Sequence, residues 1–365
     1  QYPDSIENTR TISIKTQKVK SSGKCVAAMI GAGNFAKMTM GPALEKTNAR
    51  LKYVSARTNG AVAAHIAQKY GFENATTDLN KIMADLDVNT VFISTRHNSH
   101  ASLVCMALEA GKHVFVEKPL CLTISELNSI TDMFADSSKQ KVRKTLMVGF
   151  NRRFSPHVKK IKELLSGRGE PLAMNFCCNA GIIPSHVWVH DQEVGGGRIV
   201  GEACHFIDLL SYIAGSPIRT VSAFQMGQGV AVKEDKMAIV LSFADGSIAT
   251  VNYFGNGAKS YPKETLEIFS EGRILRLDNF RKLTGFGFKG FRKLKTHTMD
   301  KGHHLQFQKF VDKVANGGDP LLSLDEMVNV TLASFAAVTS ALESRTVEIN
   351  SEYHGNFNPN HRSEN

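Results

Sequence analysis

CVAAMIGAGNFAKM, residues Cys25–Met38, decides the fold. An apolar run, Val26–Ile30, enters a glycine turn, and a helix pattern follows it. Gly31 permits the tight turn, Gly33 lets backbone approach a pyrophosphate, and the small Ala36 lets the helix pack on the strand. Asn34 and Phe35 complete the GxGxxA loop, whose helix start presents free N–H groups and the positive dipole end to phosphate. The motif alone is weak; its place between a strand and a helix reads as a dinucleotide-binding turn.

Outward from this turn, strand-like runs begin at Leu51 (LKYVSA), Thr90 (TVFIST), His113 (HVFVEKP) and Thr145 (TLMVGF). Helical stretches begin between them at Ala61, His100 and Ile124. This alternation predicts βαβ units and a parallel sheet over residues 25–150, a Rossmann domain. After Asn151 the pattern changes. Strands from Met237 and Ala244 flank Asp245-Gly246, and strands from Leu266 and Arg273 flank Glu271-Gly272, as β-hairpins do. A helix is expected from Arg198, another carries Phe307, Phe310, Val311 and Val314 as a core stripe, and Ser323 with Glu326 forms a capping box. The predicted class is α/β: an N-terminal Rossmann domain plus an α+β domain over 151–349 with a large, mostly antiparallel sheet. Residues 1–24 read as a linker or extension and 350–365 as a polar tail.

The chain has 365 residues, 42% hydrophobic and 21% charged, which suits two globular domains. No apolar run is long enough to span a bilayer and the first residues lack a signal-peptide core, so no membrane association and a cytoplasmic location are expected. The six cysteines form no CxxC pair and the thirteen histidines no HExxH spacing, so no metal is inferred. The formal charge of +10 favours an anionic ligand. No zinc finger, RNP-like motif or basic helix supports nucleic acid, and the basic stretch from Arg281 to Lys301 reads first as a solvated loop.

Three further motifs carry chemistry. The strand from Leu51 ends in Ser55-Ala56-Arg57-Thr58, where an acid for the adenosine ribose is usual. Arg57 is placed to face a 2′-phosphate, with Ser55 or Thr58 hydrogen-bonding it, or else stands as a surface residue. The cofactor is therefore NADP or NAD, with Arg57 tilting the reading to NADP. Glu117-Lys118-Pro119 ends the strand from His113, where open α/β sheets bind ligands, and an ammonium there can stabilise a developing alkoxide. Gly195-Gly196-Gly197 precedes the helix bearing Glu202, His205 and Asp208. The run permits close approach of a ligand, and Glu202 and His205, three apart, share a helix face and can pair. His205 suits proton removal from an alcohol.

Together GAGNFA, STRHNSH, AGKHVFVEKP, GFNRRFSP and GGGRIVGEACHFIDLL resemble the glucose–fructose oxidoreductase / inositol dehydrogenase / MocA (Gfo/Idh/MocA) family, from Cys25 to about Ile349. WVHDQEVGGGRIVGEACHFIDLL and MDKGHH look like a branch in which such a unit follows a zinc-type alcohol dehydrogenase unit. The resemblance implies hydride transfer between a sugar carbon and nicotinamide. Lys118 matches the lysine at the reacting hydroxyl, His205 the general acid/base, and Glu117 belongs to the same cofactor-side motif. Thr95, Asn98 and His100 match the loop on the nicotinamide side, and Asn151 and Arg152, with Trp188 and Arg198 of the longer string, match the substrate side. Pro119 matches a proline whose preceding bond is often cis. One departure stands out: many family members carry Asp four residues before the histidine, and here that residue is Gly201, with Glu202 beside it. The implied activity is oxidation or reduction of a secondary hydroxyl of a sugar, nucleotide sugar or cyclitol by a homo-dimer or tetramer. A dinucleotide-binding sensor without turnover and an NAD-dependent redox-assisted glycosidase are the alternatives.

Overall fold

The structure, a computed structural model, describes residues 10–14, 24–137 and 144–349. The first sheet contains β1 (Thr11–Ser13), β2 (Val26–Ile30), β3 (Arg50–Ser55), β4 (Asn74–Thr76), β5 (Thr90–Ile93), β6 (His113–Val116) and β7 (Leu146–Val148). Their order is β1-β4-β3-β2-β5-β6-β7, parallel except for β1, which runs antiparallel to β4. These parallel strands are almost continuously buried because helices cover both faces, as all-parallel sheets require. β3 and β5 flank β2, so the chain reverses direction across the sheet there and opens a crevice at the carboxyl ends. The expected linker over 1–24 needs correction: within it, β1 pairs edge-on with β4 through Thr11–Thr76 and Ser13–Asn74. The polar tail lies outside the described residues.

The second sheet contains β8 (Ala173–Asn179), β9 (Ile218–Gln225), β10 (Lys236–Phe243), β11 (Ile248–Phe254), β12 (Glu264–Ser270), β13 (Arg273–Asp278), β14 (Lys282–Phe286), β15 (Lys293–Lys295) and β16 (Val347–Glu348). The order is β15-β14-β13-β12-β8-β11-β10-β9-β16, antiparallel throughout except for β8 with β11. Both expected hairpins form, β10–β11 and β12–β13. One face, with Phe176, Ile239, Leu241, Val251 and Ile268, is buried under the helices Cys204–Ala214 and Leu324–Glu343. The latter helix opens on the Ser323–Glu326 capping box.

The helix His303–Asn316 follows the second sheet in sequence but packs on the first domain. Phe307 and Phe310 bury themselves against Phe92 and Phe115, with centroids 4.9 Å apart for Phe115–Phe307 and 5.5 Å for Phe92–Phe310. Truncating either phenylalanine costs about 3–5 kcal/mol in such a core. The helix thereby clamps its own start, Lys301–His303, against the cleft between the domains. The helix expected to run unbroken from Arg198 instead begins as a wide π turn, Ile199–Ala203, and becomes α-helical only at Cys204.

Candidate active site

Between the two domains lies a cavity of about 370 Å³. From the first domain it is lined by Phe35, Ser94, Thr95, His97, His100, Glu117 and Lys118. Asn151, Arg152, Trp188, Glu202, His205, Phe206, Lys263, Lys301 and His303 complete its wall. Lys118 and His205, expected as the reacting pair, thus meet at one cavity. Asn151, Arg152, Trp188, Thr95, His100 and Glu117 join them as expected.

Lys118 leaves the carboxyl end of β6 through a cis bond to Pro119. Its Nζ donates to the Gly201 carbonyl at 2.6 Å, across 83 residues of sequence. The amine is thereby tied to the π turn that precedes His205. His100, wholly buried, holds the next peptide: its Nδ1 lies 2.7 Å from the Pro119 carbonyl. Burial, opposed by its two carbonyl contacts, brings His100 to about 4.

His97 also meets a carbonyl, Gly195 O, through Nδ1 at 2.7 Å. A carbonyl only accepts, so Nδ1 carries the hydrogen and Nε2 is an acceptor in the neutral ring. The ring stays neutral because burial, then positive Lys118, hold its pKa near about 3. It also packs edge-on to Trp188 at 4.9 Å. These contacts account for Gly201. A Cβ there would lie 2.9 Å from His97 Cε1 and 3.2 Å from Nδ1. His97 fills the space that a side chain at 201 would need, so an aspartate there has no room unless the ring moves.

Glu202 does not take that aspartate's place, and the expected Glu202–His205 pairing needs correction. Its Oε2 accepts from the Tyr253 hydroxyl and from Arg198 at 3.2 Å. The reason is the π turn: i and i+3 share a face in an α-helix, and the switch of winding between 203 and 204 breaks that register. Burial opposes ionisation of Glu202, but Lys118, Arg198 and the Tyr253 hydroxyl outweigh it and hold its carboxyl below the ordinary range. Arg198, expected at the substrate, sits outside the cavity lining. Its buried guanidinium binds Asp235 at 3.1 Å, Glu202 and the Gly181 carbonyl, so it anchors the acid from behind. The glycine run also serves packing rather than ligand approach. A Cβ on Gly195 would meet the Trp188 carbonyl at 2.4 Å, and Gly196, at φ +71°, packs on Leu122.

His205 is half-buried and opens to the cavity, and among the described residues its Nδ1 has no hydrogen-bond partner. Burial, then the charges of Arg152 and Lys118, push its pKa well below 6.5, leaving a neutral imidazole at pH 7. Arg152 is paired through Nε and Nη2 with both Glu264 oxygens, each at 2.8 Å, and Lys301 Nζ reaches the same carboxylate at 2.5 Å. Two cations therefore share one anion. Burial opposes ionisation of Glu264, yet Arg152 and Lys301 bring its pKa down to about 2. Burial lowers the Lys301 pKa even beside Glu264. Glu117 behaves oppositely: burial outweighs Lys118 and raises its carboxyl to about 7, with Oε1 unpartnered. Gly149 has no side chain because the Glu117 carboxyl lies where its Cβ would be, at 2.7 Å.

The glycine turn fits a dinucleotide. Gly31, at φ +113°, lies so close to β5 that a Cβ would stand 2.6 Å from the Ser94 carbonyl, while the place of a Gly33 Cβ is open. Among the described residues, the buried hydroxyls of Ser55 and Ser94 have no hydrogen-bond partner beside it. Gly33, Asn34, Arg57 and Thr58 are exposed along the crevice and Ala36 is buried under it, none of them in the central cavity. Asn98 is likewise outside the cavity lining, its backbone N–H donating to Val194 at 3.2 Å.

Two family models match in succession. Residues 26–163 match the NAD-binding Rossmann fold of the Gfo/Idh/MocA oxidoreductases, and residues 158–275 match their C-terminal domain. This chain belongs to the Gfo/Idh/MocA oxidoreductase family. Among similar members, myo-inositol 2-dehydrogenase of Thermotoga maritima is 28% identical over 77% of this chain and 86% of its own length. Levoglucosan dehydrogenase of Pseudarthrobacter phenanthrenivorans is 27% identical over 82% of this chain and 90% of its own. A levoglucosan dehydrogenase solved with NADH superposes with a TM-score of 0.76 at 24% identity, covering 89% of this chain and 99% of that one, which shows the shared fold.

Within this Gfo/Idh/MocA frame, six lining residues lay beyond the sequence reading: Ser94, His97, Phe206, Lys263, Lys301 and His303. STRHNSH contains His97, and MDKGHH contains Lys301 and His303, so the strings were visible but the roles were not. Lys263 carried no signal. Among the described residues, no helix is long and apolar enough to cross a membrane and no cluster of His, Cys, Asp and Glu is arranged to hold a metal.

Proposed function

We propose that this chain oxidises or reduces a secondary hydroxyl of a sugar or cyclitol with a nicotinamide dinucleotide. The supporting observation is that Lys118 and His205 line one cavity and are tied together through the Lys118–Gly201 bond. The dinucleotide, held along Gly31, Gly33, Asn34, Phe35 and Ala36, accepts or supplies the hydride. Lys118 has donors left beyond Gly201 and binds the reacting oxygen, stabilising its alkoxide character. His205, neutral at pH 7, takes the hydroxyl proton. Glu202, fixed by Arg198 and Tyr253, and the acceptor Nε2 of His97 orient other hydroxyls. Asn151 and Trp188 shape the opposite wall.

Arg57, exposed past β3 where no acid stands, supports NADP as the preferred dinucleotide. The outward face of the second sheet exposes Phe224, Val240, Ile248, Phe254 and Phe269, which supports burial against a second copy as a homo-dimer or tetramer. A cytoplasmic location goes with the free thiols.

The test is Lys118→Met against a panel of hexoses and inositols, followed by nicotinamide absorbance. Loss of one hydrogen-bond donor to the forming alkoxide predicts kcat lower by about a hundredfold with dinucleotide binding retained. Full activity of the variant refutes the role of Lys118. Tight dinucleotide binding without turnover by the unaltered protein refutes the enzyme in favour of a sensor.

A further inference from the structure

The second-domain wall of the cavity carries more positive charge than the described reaction needs. Arg152, Lys263 and Lys301 stand there, and Lys118 faces them. Of the lining carboxylates, Glu202 is bound by Arg198 and Tyr253 and also offsets part of the charge of Lys118 and Lys263, and Glu117 is buried against Gly149. Behind the wall, Glu264 answers both Arg152 and Lys301 with one charge. Lys263 is exposed at the mouth, with no carboxylate within ion-pair distance among the described residues. Lys301 uses one of its three N–H donors on Glu264, leaving two.

A neutral sugar does not use this surplus. An acidic group does, because an uncompensated cation in a half-closed site gains most from an anion that replaces its water. The cofactor's own phosphates belong at the glycine turn, where Gly31 and Gly33 open the backbone. The cavity's ≈ 370 Å³ equals roughly twelve waters at about 30 Å³ each, which accommodates a nicotinamide ring and one sugar ring. We propose that the substrate is a monosaccharide bearing a carboxylate or phosphate, with that anionic group bound by Lys263 and Lys301.

This inference rests on the cavity being the sugar site, so its test reads binding as well as turnover. The chain has a single tryptophan, Trp188, and it lines the cavity, so intrinsic fluorescence reports occupancy without chemistry. With NADH present, the holoprotein is titrated with a hexose, the matching hexuronate and the matching hexose phosphate, at low and high salt. The acidic sugars are expected to bind about tenfold more tightly than the neutral one at low salt, with the gap narrowing at high salt. Lys263→Glu, at an exposed position that does not threaten folding, is expected to abolish that preference, the loss appearing in KM where turnover is measured. The ranking of hexuronate against hexose phosphate tells the two anions apart. Equal binding of neutral and acidic sugars overturns the proposal while leaving the dehydrogenase reading intact. So does a Lys263→Glu variant that weakens NADH as much as it weakens the sugar, since the cations then serve the dinucleotide. Acidic sugars that bind tightly but are never oxidised support the anion site and refute the dehydrogenase.

Discussion

Replacing Glu264 by Gln should cost this protein about 3 kcal/mol of folding stability at pH 7, and the figure follows from the charges around it. The carboxylate is fully buried and binds Arg152 through two 2.8 Å bonds and Lys301 through one of 2.5 Å. Its pKa falls from an ordinary 4.5 to about 2. At 1.36 kcal/mol per tenfold, that difference is worth about 3 kcal/mol. A second route agrees: deleting one partner of a buried ion pair typically costs 3–5 kcal/mol because the other charge is left uncompensated. Gln retains shape and one acceptor oxygen, which places the expectation at the lower end. The folded value is depressed, so the contribution is complete above about 4.5 and disappears as the pH falls towards 2. Urea unfolding at pH 7 and at pH 4, followed by circular dichroism and by Trp188 fluorescence, measures it. The variant's deficit should be full at pH 7 and smaller at pH 4. A loss below about 1 kcal/mol at pH 7, the size of an exposed ion pair, would refute the claim that Glu264 neutralises two buried cations.

Other expectations test the site more directly. Gly201→Asp should displace His97, since a Cβ there stands 2.9 Å from its ring, and should lower stability by about 1–3 kcal/mol together with the rate. His97→Ala in the same chain should restore part of both, and no restoration would show that the two residues do not compete for space. Because His205 is held well below 6.5 as a neutral base, the oxidation rate should not fall through its titration between pH 8 and 6.5. Glu117, near about 7, titrates in that window, so the profile is read in Glu117→Gln, where a persisting loss centred near 6.5 would refute the neutral base. Arg57→Ala should raise the KM for NADP about tenfold and leave that for NAD nearly unchanged. Equal effects would remove Arg57 from cofactor choice.

How far such a site can be read from sequence depends on which interactions are local. Gly31, the strand before it and Ala36 obey short-range rules, so both the turn and the crevice it opens were legible. The hairpins at Asp245-Gly246 and Glu271-Gly272 were equally readable, because turn chemistry is written in adjacent residues. Glu202 shows where local rules fail. Its spacing to His205 promised a shared helix face, but the turn of 199–203 is wound as a π turn, held at its middle by Lys118 on the Gly201 carbonyl. Arg198 shows the same failure, since burial behind Glu202 depends on Asp235, far along the chain.

Two of the missed residues share one origin. Lys301 and His303 reach the cavity only because Phe307 and Phe310 dock their helix on Phe92 and Phe115, a contact between segments about two hundred residues apart in order, whose apolar stripe announces burial but not the partner. The one sequence sign of this rearranged wall was an absence, glycine at 201 where the family resemblance leads one to expect an acid. Read physically, that absence is a volume, and His97 occupies it as a neutral ring instead of a carboxylate. A neutral ring in place of a carboxylate beside Lys118 leaves the cavity more positive than an aspartate at 201 would. The departure at Gly201 and the surplus of cations around Lys301 therefore shift the site in the same electrostatic direction, towards a substrate that brings its own negative charge.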